Sequence, residues 1–316
     1  MSAGAEMPPP EGFAIGHWTD AIAETGCTVI LPPAGSACGV DVRGGGPGSR
    51  ETEILGPLAN ASEATAVLLT GGSAFGLAAA DGVVRWCEEQ GRGYATPGGH
   101  VPLVPAAVIY DLVTGRADVR PGPEQGYAAA ASATPGVPER GRIGAAAGAA
   151  VAKAMGRDLA PPGGIGYAAL RLGTGETVAA IAAVNATGDI IDADGSAIAE
   201  LPEAVGGSRR SADLIASLSE MPDWSVREPR ESTTLVCVMT DLALDKLGAN
   251  KVARMASAGI ARAVDPVFTP FDGDITFCLA SGGAEPAPSW TVMAGGTAAA
   301  TVTAAAIRDG ARAAAA

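Results

Sequence analysis

A chain of 316 residues with 34 acidic and 21 basic side chains carries a formal charge of −13. That excludes a nucleic-acid footprint, because replacing counterions on phosphates requires clustered Lys and Arg. With 47% hydrophobic and 17% charged residues, the chain is too apolar for disorder and long enough to bury one large core.

Aromatics supply only 4% against 44 Gly and 23 Pro, so the core is expected to pack Ala, Val, Leu and Ile closely around tight turns. Residues 1–16 contain neither a basic nor an apolar run, which argues against a secretory signal and for a cytoplasmic location. The five Cys, at 27, 38, 87, 237 and 278, form no C-x-x-C pair and read as reduced, mostly buried thiols. With only His17 and His100 present, a three-His zinc site is excluded.

Apolar runs of strand length follow one another at 27–31, 66–69, 106–109, 177–184, 235–239 and 275–279, punctuated by Gly and Pro. A helix is expected from Ser73 as N-cap through Trp86. A second presents Val252, Met255, Ala256, Gly259, Ile260 and Ala263 on one face, and a third covers 292–312. The uncharged stretch 286–307 is long enough to cross a bilayer, yet it is rich in Ala and Gly and carries four Thr. It reads as a buried helix, with no membrane partner. Residues 200–230 read as an exposed connector carrying a short helix. No repeat and no second core divides the chain, so a single mixed α/β layered domain is expected.

Several segments carry chemistry, each beside an ordinary alternative. GGSAFG at 71–76 is not a nucleophile elbow, since Phe75 stands where that pattern needs Gly. It reads as a strand turning into a helix. VRGGGPGSRE (42–51) and GRIGAAAG (141–148) match neither the dinucleotide nor the Walker pattern. They are assigned to close backbone packing or substrate-lining turns, with phosphate binding as the alternative.

ESTTLVCVMTD (231–241) starts a strand with Thr233 and Thr234. Cutting the chain before Thr233 would create a free α-amine of pKa roughly 7.7 to 8.0, so one residue would supply both nucleophile and base. Thr is also simply common at strand starts. FDGDITFCLASG (271–282) places Asp272 and Asp274 around Gly273, either gripping an ammonium or hydroxyl or forming a turn with solvated acids. Lys153, the only Lys before residue 246, either snorkels to solvent or sits in a polar site that lowers its pKa. Asn185 ends an apolar run, as an oxyanion donor or as a turn before Gly188.

Taken in order, AIGHWTD (14–20), GVDVRGGGPGSRETEIL (39–55), LLTGGSAFGLAAADGV (68–83), VPAAVIYDL (104–112), STTLVCVMTD (232–241) and FDGDITFCLASG (271–282) resemble the P1 (DmpA/NylC-like) peptidase family. These are self-cleaving aminopeptidases and amidases, including β-aminopeptidases and nylon-oligomer hydrolases. The resemblance implies an αββα sandwich of the DmpA/ornithine acetyltransferase-like type, similar to N-terminal-nucleophile hydrolases. It also implies a single domain cut into chains 1–232 and 233–316, and a homo-oligomer of four or more copies.

By the same resemblance, Thr233 is the nucleophile freed by cleavage after Ser232. Asn185 stabilises the oxyanion, Lys153 favours the neutral amine, Asp272 and Asp274 orient hydroxyl and amine, and Tyr110 lines the substrate side. The implied reaction hydrolyses amide bonds of small peptides or amino-acyl amides without metal or organic cofactor. The alternatives are an acyltransferase on the related fold and an uncleaved ligand-binding scaffold. The family carries Asn or Gly before the nucleophile, and Ser232 in their place is expected to incur strain at positive φ and slow the cleavage.

Overall fold

The computed structural model describes residues 3–154, 156–201, 210–219, 232–283 and 286–316. Strands β10 (Thr177–Asn185) and β13 (Thr233–Thr240) are buried at every position, so they need cover on both faces. They lie inside a five-stranded sheet ordered β3 (Ala37–Val42), β15 (Ile275–Ala280), β13, β10, β9 (Ile165–Arg171). In it only β13 and β15 run parallel. A second sheet is ordered β1 (Ala14–Asp20), β2 (Thr25–Leu31), β5 (Val67–Thr70), β8 (Ala106–Val108), β4 (Ser49–Arg50). Smaller pieces are a hairpin of β6 (Tyr94–Thr96) and β7 (Gly99–Val101), and β11 (Asp189–Ile191) flanked by β12 (Ala197–Ala199) and β14 (Val264–Asp265).

Alternation along the strands sorts side chains into three layers. Ile181, Leu235, Cys237 and Phe277 meet Ile15, Ile30, Leu69 and Ala107 between the sheets. On the outer face of the first sheet, Val178, Ala180, Val236 and Val238 pack against helices α5 (Lys246–Ala261) and α6 (Ser289–Ala315). Cys27, Val29, Leu68 and Ala106 pack outward against α2 (Ala79–Glu89) and α3 (Pro123–Ala131). The architecture is therefore the expected αββα sandwich. Helices α1 (Thr52–Leu55) and α4 (Ser211–Ser217) are short, and α4 is the described part of the connector; residues 202–209 and 220–231 lie outside the described residues.

The six apolar runs are all strands, the last two helices form as expected, and all five Cys are buried and free. Helix α6 is long and apolar enough to cross a membrane, with 61% of its most apolar window buried inside the protein. Ser73 does not cap a helix. It begins a 3-10 turn, Ser73–Ala78, that leads into α2, and the preceding Gly72 at φ 80 makes no side-chain cap. Strands β1, β3 and β9 and helix α3 were not legible. Most of β1 is only half-buried, β9 is buried at all positions but its last and so shows no apolar–polar alternation, and the alanines of α3 suit either periodicity.

With so few aromatics, elements approach through glycine. A Cβ on Gly126 of α3 would sit 1.9 Å from the Ala79 carbonyl of α2, and one on Gly166 of β9 would sit 1.9 Å from the Ala306 carbonyl of α6. Overpacking of this kind costs about 1–3 kcal/mol. Gly126→Ala is therefore expected to lower the thermal midpoint by several degrees, while Gly98→Ala, whose new methyl would meet only Thr96 Oγ1 at 3.8 Å, leaves it unchanged. Equal midpoints in differential scanning calorimetry would refute the close-approach account.

Candidate active site

Strand register assembles the site. The β10–β13 ladder sets Asn185 opposite Thr233 and Val184 opposite Thr234, and directly opposed residues share a face. Thr233 follows Leu235 and Cys237 toward the space between the sheets, whereas Thr234 follows Val236 and Val238 toward the helices. Thr233 lies at the end of the sandwich and is 5% exposed. Its Oγ1 hydroxyl donates to the Ser232 carbonyl at 2.6 Å. On the other side, the parallel β13–β15 pairing extends by a bridge between Ser232 and Asp272. Here Ser232 N–H donates to the Phe271 carbonyl at 3.2 Å, and Gly273 N–H donates to the Ser232 carbonyl at 2.7 Å. A Cβ on Gly273 would lie 2.8 Å from Thr233 Oγ1, so glycine there leaves room for the hydroxyl.

Lys153 does not snorkel. It is 5% exposed, and its Nζ donates to the Asn185 carbonyl at 2.8 Å and to Asn185 Oδ1 at 2.9 Å. Burial first, then the charge of Arg157, push its ammonium well below the usual lysine range, against the pull of Asp272 and Asp274. Asn185 is fully buried rather than a surface turn. Its Oδ1 also accepts from Ala150 N–H at 3.0 Å, which leaves the amide N–H group as donor, facing the Tyr110 carbonyl at 3.4 Å. Tyr110 thus reaches the site through its backbone, just past β8.

The acids are not solvated either, since Asp272 and Asp274 are each 2% exposed. Asp272 accepts from Thr187 Oγ1 at 2.9 Å and Thr269 N–H at 2.8 Å. Asp274 accepts from Thr234 N–H at 2.6 Å and Phe268 N–H at 3.3 Å. They therefore fix the backbone around Thr233, and the Thr233 hydroxyl itself bonds to Ser232. The glycine-rich run after β3 straps this loop: Arg43 N–H donates to the Asp274 carbonyl and Gly46 N–H to the Asp272 carbonyl, each at 2.9 Å. A Cβ on Gly44 would lie 1.9 Å from the Asp272 carbonyl oxygen, which realises the packing role expected of that run. Close packing also explains Gly148, whose Cβ would lie 2.1 Å from the Glu24 carbonyl.

One expectation fails. Among the described residues, positive φ outside glycine occurs at Glu24, Glu51, Ser73, Ala152 and Phe268, so Ser232 carries no such strain; its bridge to Asp272 keeps it paired. The sequence reading also missed Thr187 and Arg157. Thr187 stands two residues beyond Asn185, and its carbonyl accepts from Lys153 N–H at 2.9 Å. Half-buried Arg157 bonds the Gly148 carbonyl. The short N-x-T spacing offered a signal for Thr187; Arg157 offered none.

The profile of peptidase family S58 matches residues 11–316. An aminopeptidase of Mycobacterium tuberculosis (strain ATCC 25618 / H37Rv), itself described as uncharacterized, is 40% identical over 262 residues, 81% of this chain and 73% of its own. A 6-aminohexanoate-oligomer endohydrolase of Agromyces sp. (strain KY5R) is 31% identical over 257 residues, 81% of this chain and 69% of its own. In fold, the chain is similar to the l-aminopeptidase d-ala-esterase/amidase from Ochrobactrum anthropi, described as a variant of the Ntn hydrolase fold. That match has a TM-score of 0.71 at 18% identity and covers 98% of this chain and 86% of the other.

Burial foremost, and the neighbouring charge of Asp272, raise the Asp274 carboxyl to about 7 against the hydrogen bonds it accepts. An unfolded Asp titrates near 3.9, so the stabilisation from the neutral group is present below that value and lost as pH rises through about 7. The thermal midpoint of wild type is therefore expected to fall relative to that of Asp274→Asn between pH 6 and 8. A midpoint difference that stays constant across that window would show that Asp274 does not titrate there.

Proposed function

This chain belongs to peptidase family S58 and is a hydrolase of amide bonds, of the aminopeptidase and amidase kind, and we propose that its nucleophile is Thr233, freed by self-cleavage of the Ser232–Thr233 bond. The observation that carries this reading is the convergence on one residue. Thr233 Oγ1 lies 2.6 Å from the carbonyl oxygen before it, Asn185 lies directly across the ladder, and the Lys153 amine is bonded to Asn185.

In the cut protein the α-amine of Thr233 takes the hydroxyl proton as Oγ attacks the substrate carbonyl. The Asn185 amide, whose longer contact is to the Tyr110 carbonyl at 3.4 Å, has a second N–H to donate to the developing oxyanion, an effect worth roughly 2.7–4 kcal/mol for one donor. Lys153, donating to Asn185 Oδ1, fixes that amide so that its oxygen side is occupied and its N–H side is left as donor. Asp272 and Asp274 act through backbone and Thr187, holding the loop beside the nucleophile. The amine then protonates the leaving group, and water releases the acyl group from Thr233. The names of the relatives favour water over an amine as the acyl acceptor, which sets acyl transfer aside. As substrates we propose amino-acyl amides and short linear oligoamides, including those of ω-amino acids.

Intact-mass measurement of wild type is expected to give chains 1–232 and 233–316, with activity on a panel of amino-acyl p-nitroanilides and 6-aminohexanoate oligomers. Thr233→Ala, which removes the attacking oxygen but little volume, is expected to stay folded, full-length and inactive. A cleaved Thr233→Ala product would remove Thr233 from the role of nucleophile.

A further inference from the structure

We propose that the peptide N–H of Gly273 is the oxyanion donor of self-cleavage, so that maturation and substrate turnover draw on different donors. This rests on the reading of Thr233 as the nucleophile. During self-cleavage the reacting carbonyl is that of Ser232, and its oxygen accepts two hydrogen bonds, from Gly273 N–H at 2.7 Å and from Thr233 Oγ1 at 2.6 Å. The second belongs to the attacking hydroxyl and disappears when that group gives up its proton. The Gly273 bond remains, at the short end of the range for N–H···O contacts.

Asn185 does not reach this carbonyl. Its Oδ1 serves Ala150 and Lys153, and its amide N–H group faces Tyr110.

The fold holds the donor rigidly. Gly273 N–H and the Asp272 carbonyl belong to one peptide unit, and both ends of that unit are engaged: Gly46 N–H donates to the Asp272 oxygen at 2.9 Å while Gly273 N–H points at Ser232. A hydrogen bond accepted at one end polarises the N–H at the other. The same contact closes the parallel bridge between Ser232 and Asp272, so an ordinary ladder bond delivers a fixed donor to the one carbonyl that the adjacent hydroxyl touches. In the step itself, Oγ1 bonds to the Ser232 carbon and the carbonyl electron pair moves to the oxygen held by Gly273. The C–N bond then breaks, and the hydroxyl proton ends on the Thr233 nitrogen. Water opens the resulting ester to the Ser232 carboxylate and the free Thr233 hydroxyl.

Cell-free translation with glycolic acid at position 273 replaces this N–H by an ester oxygen and keeps the absent side chain. Followed by intact mass, self-cleavage is expected to slow by roughly 10²–10³-fold, the usual loss for one such donor. A second arm uses Asn185→Asp, which retains an oxygen for Ala150 and Lys153 but has no N–H. Its turnover per cleaved chain is expected to fall about 100-fold or more, with self-cleavage slowed far less. An ester-containing chain that matures at the wild-type rate overturns the proposal, as does Asn185→Asp losing self-cleavage in proportion to turnover. Thr233→Ala runs alongside, and cleavage in that variant would instead overturn the nucleophile.

Discussion

Central strand β13 hydrogen-bonds antiparallel to β10 and parallel to β15, and a slip of one residue in either ladder would turn Thr233 from the space between the sheets toward the helices. The register is held by burial on both faces. Leu235, Cys237 and Met239 lie in the inter-sheet core while Val236 and Val238 lie in the helix-facing one, so slippage would exchange two differently shaped apolar surfaces. Because Asn185 and Ser232 stand at the ends of these ladders, core packing fixes where the chemistry sits.

Around that end the protein gathers the charges that a core otherwise excludes. Lys153, Asp272 and Asp274 are all nearly inaccessible, and burial is the largest influence on both Lys153 and Asp274, lowering one proton affinity and raising the other. Both shifts move toward neutral groups, which is how a desolvated cluster limits its own cost. Hydrogen bonds then decide orientation: three amides and a hydroxyl position the acids, and Asn185 positions the lysine. A glycine-rich strap, Arg43 to Gly46, approaches the acidic loop closely enough to bond its carbonyls. The abundance of glycine is thus tied to the geometry of the site as well as to the packing of helices.

Much of this was written locally in the sequence. The apolar runs at 177–184, 235–239 and 275–279 had to be strands covered on both sides, and the helix at the C-terminal end declared itself by length and composition. The candidate residues were visible by type, and their order along the chain pointed to one family of reactions. What the sequence could not decide was which of two readings each residue would take. Lys153 in an alanine-rich stretch, Asn185 before a glycine and Asp272 beside Gly273 each looked as natural on a surface as in a site. The tertiary structure chose burial for all three, brought Thr187 and Arg157 alongside unannounced, and removed the expected strain at Ser232. The physical reason is that periodicity and residue chemistry are properties of short windows, whereas desolvation and register arise only when strands far apart in the chain pair and shut out water.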